Sequence, residues 1–466
     1  MQLIRKTTSR CPQCIKEVDG EVVVADDGKA YIHRECPEHG PYDYLLSEHG
    51  EDYADLDRFY TEVYETSSPG RRFHSWIMAT LKCQQKCPYC TTDCANEKDE
   101  IAWEEMDWDD ILGIMKTIGK GKFSFSGGEP TLHPKMFEFF READRRGILC
   151  QLATNGLLLT SKEYCQKLKD NKVKEVRLSL ESVDEEDVAS LGLDAYVKPK
   201  LQAIENLCEV GIPITLSPTI FRGVNEDQLY RILEYAKDKP AIHAFSAEGF
   251  SWNGSGIRMP AEMMIAPDEL MDILHPHYCK CDRRDQFAFQ KMMFAILNVV
   301  GFELCLKTEF MVFLRRPEGL RPFIECINIR RVGRMLDWWR RVIPRQRWIR
   351  GILLLPVLAG GVTLKTFPLV PMLLRLLWAN RGNLDVRKYP SELMVVAFNT
   401  NCSTLNADSI VVPHCVTRFI YKRDGAIVSE DATEGLLGKE ERNYASGVWQ
   451  QMLANKWRGP NAGKDV

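Results

Sequence analysis

The chain lacks a dominant charge. Its 466 residues hold 61 basic and 65 acidic side chains, a net charge of −4, so no positive field of the size nucleic acid requires covers the molecule, and no nucleic-acid partner is expected. The opening MQLIRKTTSR lacks the apolar core of a signal peptide, which makes a reducing, cytoplasmic compartment the expectation. Internal repeats and low-complexity tracts are missing as well. The longest apolar stretch, GILLLPVLAGGVTLKTFPLVPMLL, has one charge, Lys365, in 24 residues. Pro356, Pro368, Pro371 and Gly360-Gly361 cut it into pieces of about 14 residues or fewer, too short for a bilayer span. Cysteine, by contrast, is abundant: 16 residues, about twice the usual share, and in a reducing compartment clustered thiols bind metal more often than they form disulfides.

At roughly 100–200 residues per domain, the length predicts two to three domains. Residues 1–65 are turn-rich and cysteine-bearing, and VDGEVVVADDGKAYIHREC reads as two strands joined by the turn-forming DDG, the pattern of a small metal-binding domain. From 73 to 275, short apolar runs (SWIMATL, KFSFSG, ILCQLAT, EVRLSL, PITLSP, AIHAFSAEG) alternate with helical periods such as WEEMDWDDILGIMKTIG and PKMFEFFREADRRG. The expected fold class is α/β, a partial (β/α)6 TIM-like barrel of parallel strands with its chemistry at their C-terminal ends. Residues 276–466 form a cysteine-containing C-terminal extension in which the alternation stops.

Within LKCQQKCPYCTTDC, Cys83, Cys87 and Cys90 are spaced CxxxCxxC directly after the first barrel strand. Three thiolates leave one position of a four-iron cluster without a protein ligand, whereas structural zinc closes with four. Cys94 is the thiol that would complete a closed site. The second strand runs into SGGEP, Ser126 to Pro130, where consecutive glycines let backbone approach a ligand that a side chain would block.

Together, CxxxCxxC with Tyr89 just before its third cysteine and SGGEP one strand later resemble the radical S-adenosylmethionine superfamily. The resemblance covers about residues 73–275. It implies that Cys83, Cys87 and Cys90 hold a [4Fe-4S] cluster whose open iron takes S-adenosyl-L-methionine, and that one electron then releases a 5′-deoxyadenosyl radical that abstracts hydrogen from substrate. It further implies that Gly127, Gly128 and Glu129 face the methionine amino group and that Tyr89 lies near the adenine. Asn155, Ser179 and Glu181, at the ends of the third and fourth strands, are placed for ribose and carboxylate. A reductant such as ferredoxin or flavodoxin is the implied partner, and Cys94 falls outside the ligand set.

Elsewhere, Cys11-x2-Cys14 and Cys36-x2-His39 offer four ligands for a tetrahedral ion, zinc or a rubredoxin-like mononuclear iron, with no open position for catalysis. The late cysteines, Cys279 and Cys281 in HPHYCKC (with His275 and His277), Cys305, Cys326, Cys402 and Cys415, are candidates for an auxiliary Fe-S cluster. Residues 330–350 carry eight arginines against one acid, Asp337, and three tryptophans, Trp338, Trp339 and Trp348. Beside the apolar stretch that follows, region 330–378 suits an interfacial segment on anionic lipid; buried core helices are the alternative.

The N-terminal CPxC with CPEHG, the barrel, and a proline-x-cysteine in VVPHC together look like the tetraether lipid synthase family and its bacterial relatives. HPHYCKC and the Asn406–Ser409 turn depart from that pattern. The resemblance implies C-C bond formation or alkylation on the hydrocarbon chains of lipids by an enzyme peripheral on the membrane. The alternative is a radical methylase or cross-linking enzyme for a soluble cofactor or peptide. An Fe-S electron carrier or adaptor would have no need of an intact CxxxCxxC and GGEP.

Overall fold

The computed structural model describes residues 1–14, 16–66, 74–92, 94, 104–118, 121–300, 308–343, 346–379, 390–400, 408, 417–423 and 425–431. Four antiparallel strands, β1 (Gln2–Arg10), β2 (Glu17–Val24), β3 (Ala30–Cys36) and β4 (Gly40–Ser47), form an N-terminal sheet in sequence order and lead into α1 (Gly50–Thr66). β2 and β3 are the expected hairpin, turning at Asp26-Asp27-Gly28. β1 mixes Arg5, Lys6 and Arg10 with polar residues and β4 opens on Gly40-Pro41, so neither alternates cleanly; their pairing partners define them.

The second sheet contains the barrel strands β5 (His74–Thr80), β6 (Lys122–Gly127), β7 (Leu149–Thr154), β8 (Glu175–Leu178) and β9 (Ile214–Leu216), then the short β10 (Thr219–Ile220) and β11 (Ile242–Gly249). Between them run α2 (Trp108–Ile118), α3 (Met136–Arg145), α4 (Lys162–Asp170), α5 (Asp194–Val210) and α6 (Gln228–Ala236). β5, β6, β7, β8, β9 and β11 are parallel neighbours in chain order, the six-strand partial barrel expected. Phe123 and Phe125 beside Ser124, and Val176, Leu178, Ile214 and Leu216, are all buried, because helices cover one face and the barrel interior the other. α2 begins at Trp108, later than its apolar pattern suggests. Asp107 and Asp110 there exchange backbone-to-carboxylate hydrogen bonds of 2.9 and 3.0 Å that satisfy the first-turn N–H groups.

After β11 come α7 (Pro267–Tyr278), α8 (Arg283–Val300), β12 (Thr308–Arg316), β13 (Gly319–Pro322), α9 (Ile329–Val342), α10 (Arg347–Gly360), α11 (Val370–Ala379), β14 (Leu393–Thr400), β15 (Thr417–Arg423) and β16 (Ala426–Asp431). Its strands extend the barrel sheet at both edges. β14 pairs parallel with β11, β12 and β13 follow antiparallel, and β15 pairs parallel with β5 before turning into β16, so the sheet is open.

α1 ends at Thr66. Its apolar face packs with Val22 and Ala30 of the N-terminal sheet and with α8 and α9 in a second core, where Tyr60 stacks on Phe294 at 3.9 Å and Phe59 on Trp339 at 6.4 Å. Trp339 is fully buried, and its indole N–H donates to the Arg350 carbonyl at 3.3 Å. Arg350 is itself buried on Asn298. Two members of the basic, tryptophan-rich stretch therefore belong to the interior. Asp408, from the turn that departs from the tetraether pattern, is buried and accepts hydrogen bonds from Arg5 (2.6 Å) and Thr7 (2.7 Å), tying the C-terminal segment to the N-terminal sheet.

Candidate active site and metal centres

The C-terminal ends of the parallel strands converge on the cysteine loop. Gly128 N–H donates to the Thr80 carbonyl and Glu129 N–H to that of Lys82, each at 2.7 Å, stitching the end of β6 to the loop after β5. A Cβ on Gly127 (φ +114°) would stand 2.4 Å from Thr80 O, and one on Gly128 would stand 2.4 Å from Lys82 O. The close approach these glycines permit in the polypeptide is thus that of the cysteine loop itself. From the loop after β11, Ser255 N–H donates to the Cys90 carbonyl at 2.9 Å and holds the loop from the other side.

Cys83 lies near Asn155, whose Nδ2 is 3.8 Å from its Sγ, and Asn155 Oδ1 accepts from Leu157 N–H at 3.0 Å. The Glu129 side chain is buried and satisfied within the chain. Its Oε1 accepts from Thr131 N (3.0 Å), Thr131 Oγ1 (2.6 Å) and Thr154 Oγ1 (2.8 Å), and its Oε2 accepts from Asn155 N (2.7 Å). It therefore ties the ends of β6 and β7 together and positions Asn155; burial raises its pKa. Tyr89 packs edge-on against Phe221 at 4.9 Å, and burial, then the charge of Glu181, pushes its phenol well up. Cys94 lies beside the ligand loop: the Thr92 hydroxyl is 3.2 Å from Cys90 Sγ and 2.8 Å from Cys94 Sγ.

Ser179 and Glu181 converge on Lys200, a residue that the sequence reading missed. Lys200 from α5 is 2% exposed and donates to Ser179 Oγ at 3.0 Å and to Glu181 Oε2 at 2.6 Å, while Glu181 is 3% exposed. Glu181 Oε1 is buried with no hydrogen bond of ordinary geometry among the described residues, the Tyr89 phenol standing close enough to feel its charge, and it is an acceptor suited to a ligand hydroxyl. The signal was present in KPKLQAIENL: Val197, Lys200, Ile204 and Leu207 share one face of α5, so the lysine interrupts an apolar stripe.

In the N-terminal sheet, Cys11, Cys14, Cys36 and His39 bring four ligand atoms within 4.8 Å of one another. The edges are 3.6 Å (Cys11 Sγ to His39 Nδ1), 3.5 Å (Cys36 Sγ to His39 Nδ1) and 3.8 Å (Cys14 Sγ to Cys36 Sγ). Metal–sulfur bonds of about 2.3 Å and metal–nitrogen bonds of about 2.0 Å at tetrahedral angles give edges of roughly 3.5–3.8 Å, so the four fit one ion. Cys83, Cys87 and Cys90 do not form so tight a group. Wider separation is what a cluster requires, since each thiolate ligates a different iron. Of the late cysteines, Cys279 and Cys281 come together with His275; Cys326 is buried in the second core and does not join them. Cys305, Cys402 and Cys415 lie outside the described residues.

Residues 77–236 match the radical SAM superfamily, and residues 3–48 match the HMPTM N-terminal zinc ribbon domain. The chain therefore carries a radical S-adenosylmethionine domain, of an enzyme superfamily that uses a [4Fe-4S] cluster and S-adenosylmethionine, preceded by a zinc ribbon. Among named relatives it is similar to 7,8-dihydro-6-hydroxymethylpterin dimethyltransferase of Methanocaldococcus jannaschii, 29% identical over 259 residues, 50% of each chain. It is also similar to PqqA peptide cyclase of Streptomyces rochei, 30% identical over 198 residues, 42% of this chain and 52% of the relative. GTP 3′,8-cyclase of Helicobacter pylori is 31% identical over 170 residues, 35% of this chain and 51% of the relative. The chain spans about half the length of the curated relatives it matches.

The residues present fit the cofactors of that superfamily. Three thiols sit on a loop clamped from two sides, and burial, then the charges of Glu181, Cys90 and Cys83, pushes the Cys87 thiol up, a cost that a bound metal offsets by stabilising thiolate. When bound, the cluster supplies the single electron that cleaves the sulfonium. The chain's own part is positional: Glu129 orients Asn155 beside Cys83, Lys200 fixes Ser179 and Glu181, and Tyr89 with Phe221 provides an apolar wall.

Proposed function

We propose that this protein is a radical S-adenosylmethionine enzyme that works at a membrane surface and forms carbon–carbon bonds on, or alkylates, the hydrocarbon chains of lipids. In this reading Cys83, Cys87 and Cys90 hold the cluster, Tyr89, Gly127, Gly128, Glu129, Asn155, Ser179 and Glu181 surround S-adenosylmethionine, and ferredoxin or flavodoxin supplies electrons. The observation that carries it is the surface of α9 to α11. Ten of the thirteen exposed large hydrophobic residues among those described fall between Trp338 and Trp378, including Trp348 (69% exposed), Leu364 (95%), Phe367 (72%) and Trp378 (70%). Exposed Arg331, Arg334, Arg341, Lys365 and Arg375 lie on the same segment, and each adds about 1 kcal/mol of attraction near an anionic leaflet. No helix among the described residues is long and apolar enough to cross a membrane, so contact would be peripheral.

A second reading, methylation of a soluble heterocycle, is favoured by the likeness of both the ribbon and the barrel to a pterin dimethyltransferase. Flotation with phosphatidylglycerol vesicles separates the two. The protein rises with the vesicles if the lipid reading holds, and Trp348→Glu/Phe367→Glu stays at the bottom. Wild-type protein that remains at the bottom overturns it. Anaerobic turnover on a total lipid extract, read by mass spectrometry for chains joined with loss of two hydrogens, then tests the reaction itself.

A further inference from the structure

The end of α7 and the start of α8 form a compact ligand set outside the barrel mouth. His275 occupies the last turn of α7, Cys279 caps that helix with its N–H on the His275 carbonyl (2.9 Å), and Cys281 lies two residues before Arg283, where α8 begins. The three ligand atoms lie within 4.8 Å of one another, with Cys281 Sγ 3.8 Å from His275 Nε2. The buried amide of Gln286, in the first turn of α8, donates to both sulfurs, at 3.2 Å to Cys279 and 3.3 Å to Cys281. The intervening loop is pinned by Lys280 N–H on Glu325 Oε1 at 3.1 Å.

These distances bear on the kind of metal. A tetrahedral ion bound to sulfur at about 2.3 Å and nitrogen at about 2.0 Å has ligand edges of roughly 3.5–3.8 Å, whereas ligands to separate irons of a cluster stand farther apart. The spacing therefore matches that of the zinc ribbon and not that of the cysteine loop. Gln286 is placed as the outer-layer donor that anionic sulfur ligands recruit: its N–H groups offset the charge of two thiolates without ligating the ion.

We propose that His275, Cys279 and Cys281 bind a second, mononuclear zinc ion at the junction of α7 and α8, these three being its ligands among the described residues. Two thiolates and one imidazole suit borderline-soft Zn2+. The site does not depend on the lipid reading of the barrel.

The test is metal content of the full chain, purified anaerobically from zinc-supplemented cells and analysed for zinc and iron by mass spectrometry. Wild type is expected to hold two zinc ions, one in each tight ligand group. Cys14→Ser should hold one, and Cys14→Ser/Cys281→Ser none, with iron unchanged. Zinc that is insensitive to Cys281→Ser overturns the proposal, as does iron falling by a cluster's worth while zinc stays. Because Cys281→Ser can lose metal through local unfolding, His275→Cys is loaded with Co2+ beside its parent. Both proteins carry Cys14→Ser so that the N-terminal site stays empty; a third thiolate should then keep the ion and raise the thiolate-to-cobalt absorption by about half, and a band unchanged from the Cys14→Ser parent overturns the assignment.

Discussion

The Lys200–Glu181 pair gives the sharpest test of the barrel site. Both side chains are nearly excluded from water, at 2% and 3% exposed, and their charged atoms are 2.6 Å apart. Lys200→Met keeps the volume and helix propensity of α5 but leaves a carboxylate buried without its cation, at a cost of about 3–5 kcal/mol. It also removes the donor to Ser179. Glu181→Leu combined with Lys200→Met replaces the pair by apolar contacts and should return stability to within about 1 kcal/mol of wild type, since a buried ion pair is rarely better than a packed apolar pair. Affinity for S-adenosylmethionine should stay low in both variants, because the acceptor set that Lys200 organises is gone. Equilibrium urea unfolding measures the first quantity, and equilibrium binding to cluster-loaded protein the second. A loss below about 1 kcal/mol in Lys200→Met, or losses that simply add in the double variant, would refute the coupling. Full affinity in the double variant would show that the pair serves stability alone.

Two further predictions concern burial and close approach. Glu309 on β12 is buried with Oε2 unpartnered among the described residues, and burial raises its pKa from the ordinary 4.5 to about 8. A raised carboxyl pKa contributes stability that is complete below the ordinary value and is lost as pH climbs through the folded one. At about 1.4 kcal/mol per pH unit across that window, several kcal/mol should drain away by pH 9. Glu309→Gln should therefore gain on the wild type between pH 6 and 9 in parallel urea titrations, and parallel curves would rule the assignment out. Gly128→Ala places a Cβ 2.4 Å from Lys82 O and 2.6 Å from Leu81 O, both backbone atoms of the cysteine loop, so iron bound after anaerobic reconstitution should fall at least severalfold. Gly113→Ala on α2, where nothing lies within 4 Å, is the control and should bind iron like wild type.

The barrel was legible because its information is local. Six apolar runs and the helical periods between them place β5 to β9 and β11 within a residue or two of where they lie, and the turn chemistry of SGGEP marks the end of β6. The extension was not legible, for a reason of sequence separation. β15 pairs with β5 through Thr417 and His74, and β14 pairs with β11 through Val395 and Ala244, contacts that no window of neighbouring residues contains. Composition misleads where one segment serves two environments. Trp338 and Trp339 are adjacent in a basic run, yet the helix turns one outward at 47% exposure and buries the other against Phe59.

Lys200 shows the complementary case. A lysine on the buried stripe of α5 conflicts with the pattern around it, and the conflict is resolved only by Glu181 and Ser179 on another element. A charge that breaks an apolar period is thus more informative than one on a solvent face, because folding must supply its partner. Here the partner is a carboxylate at the end of a barrel strand, where ligands of this fold are bound. The cost of burying both charges is difficult to account for by stability alone, since an apolar pair would pack as well, and the proposed role of Glu181 in holding a ligand is what the double variant tests.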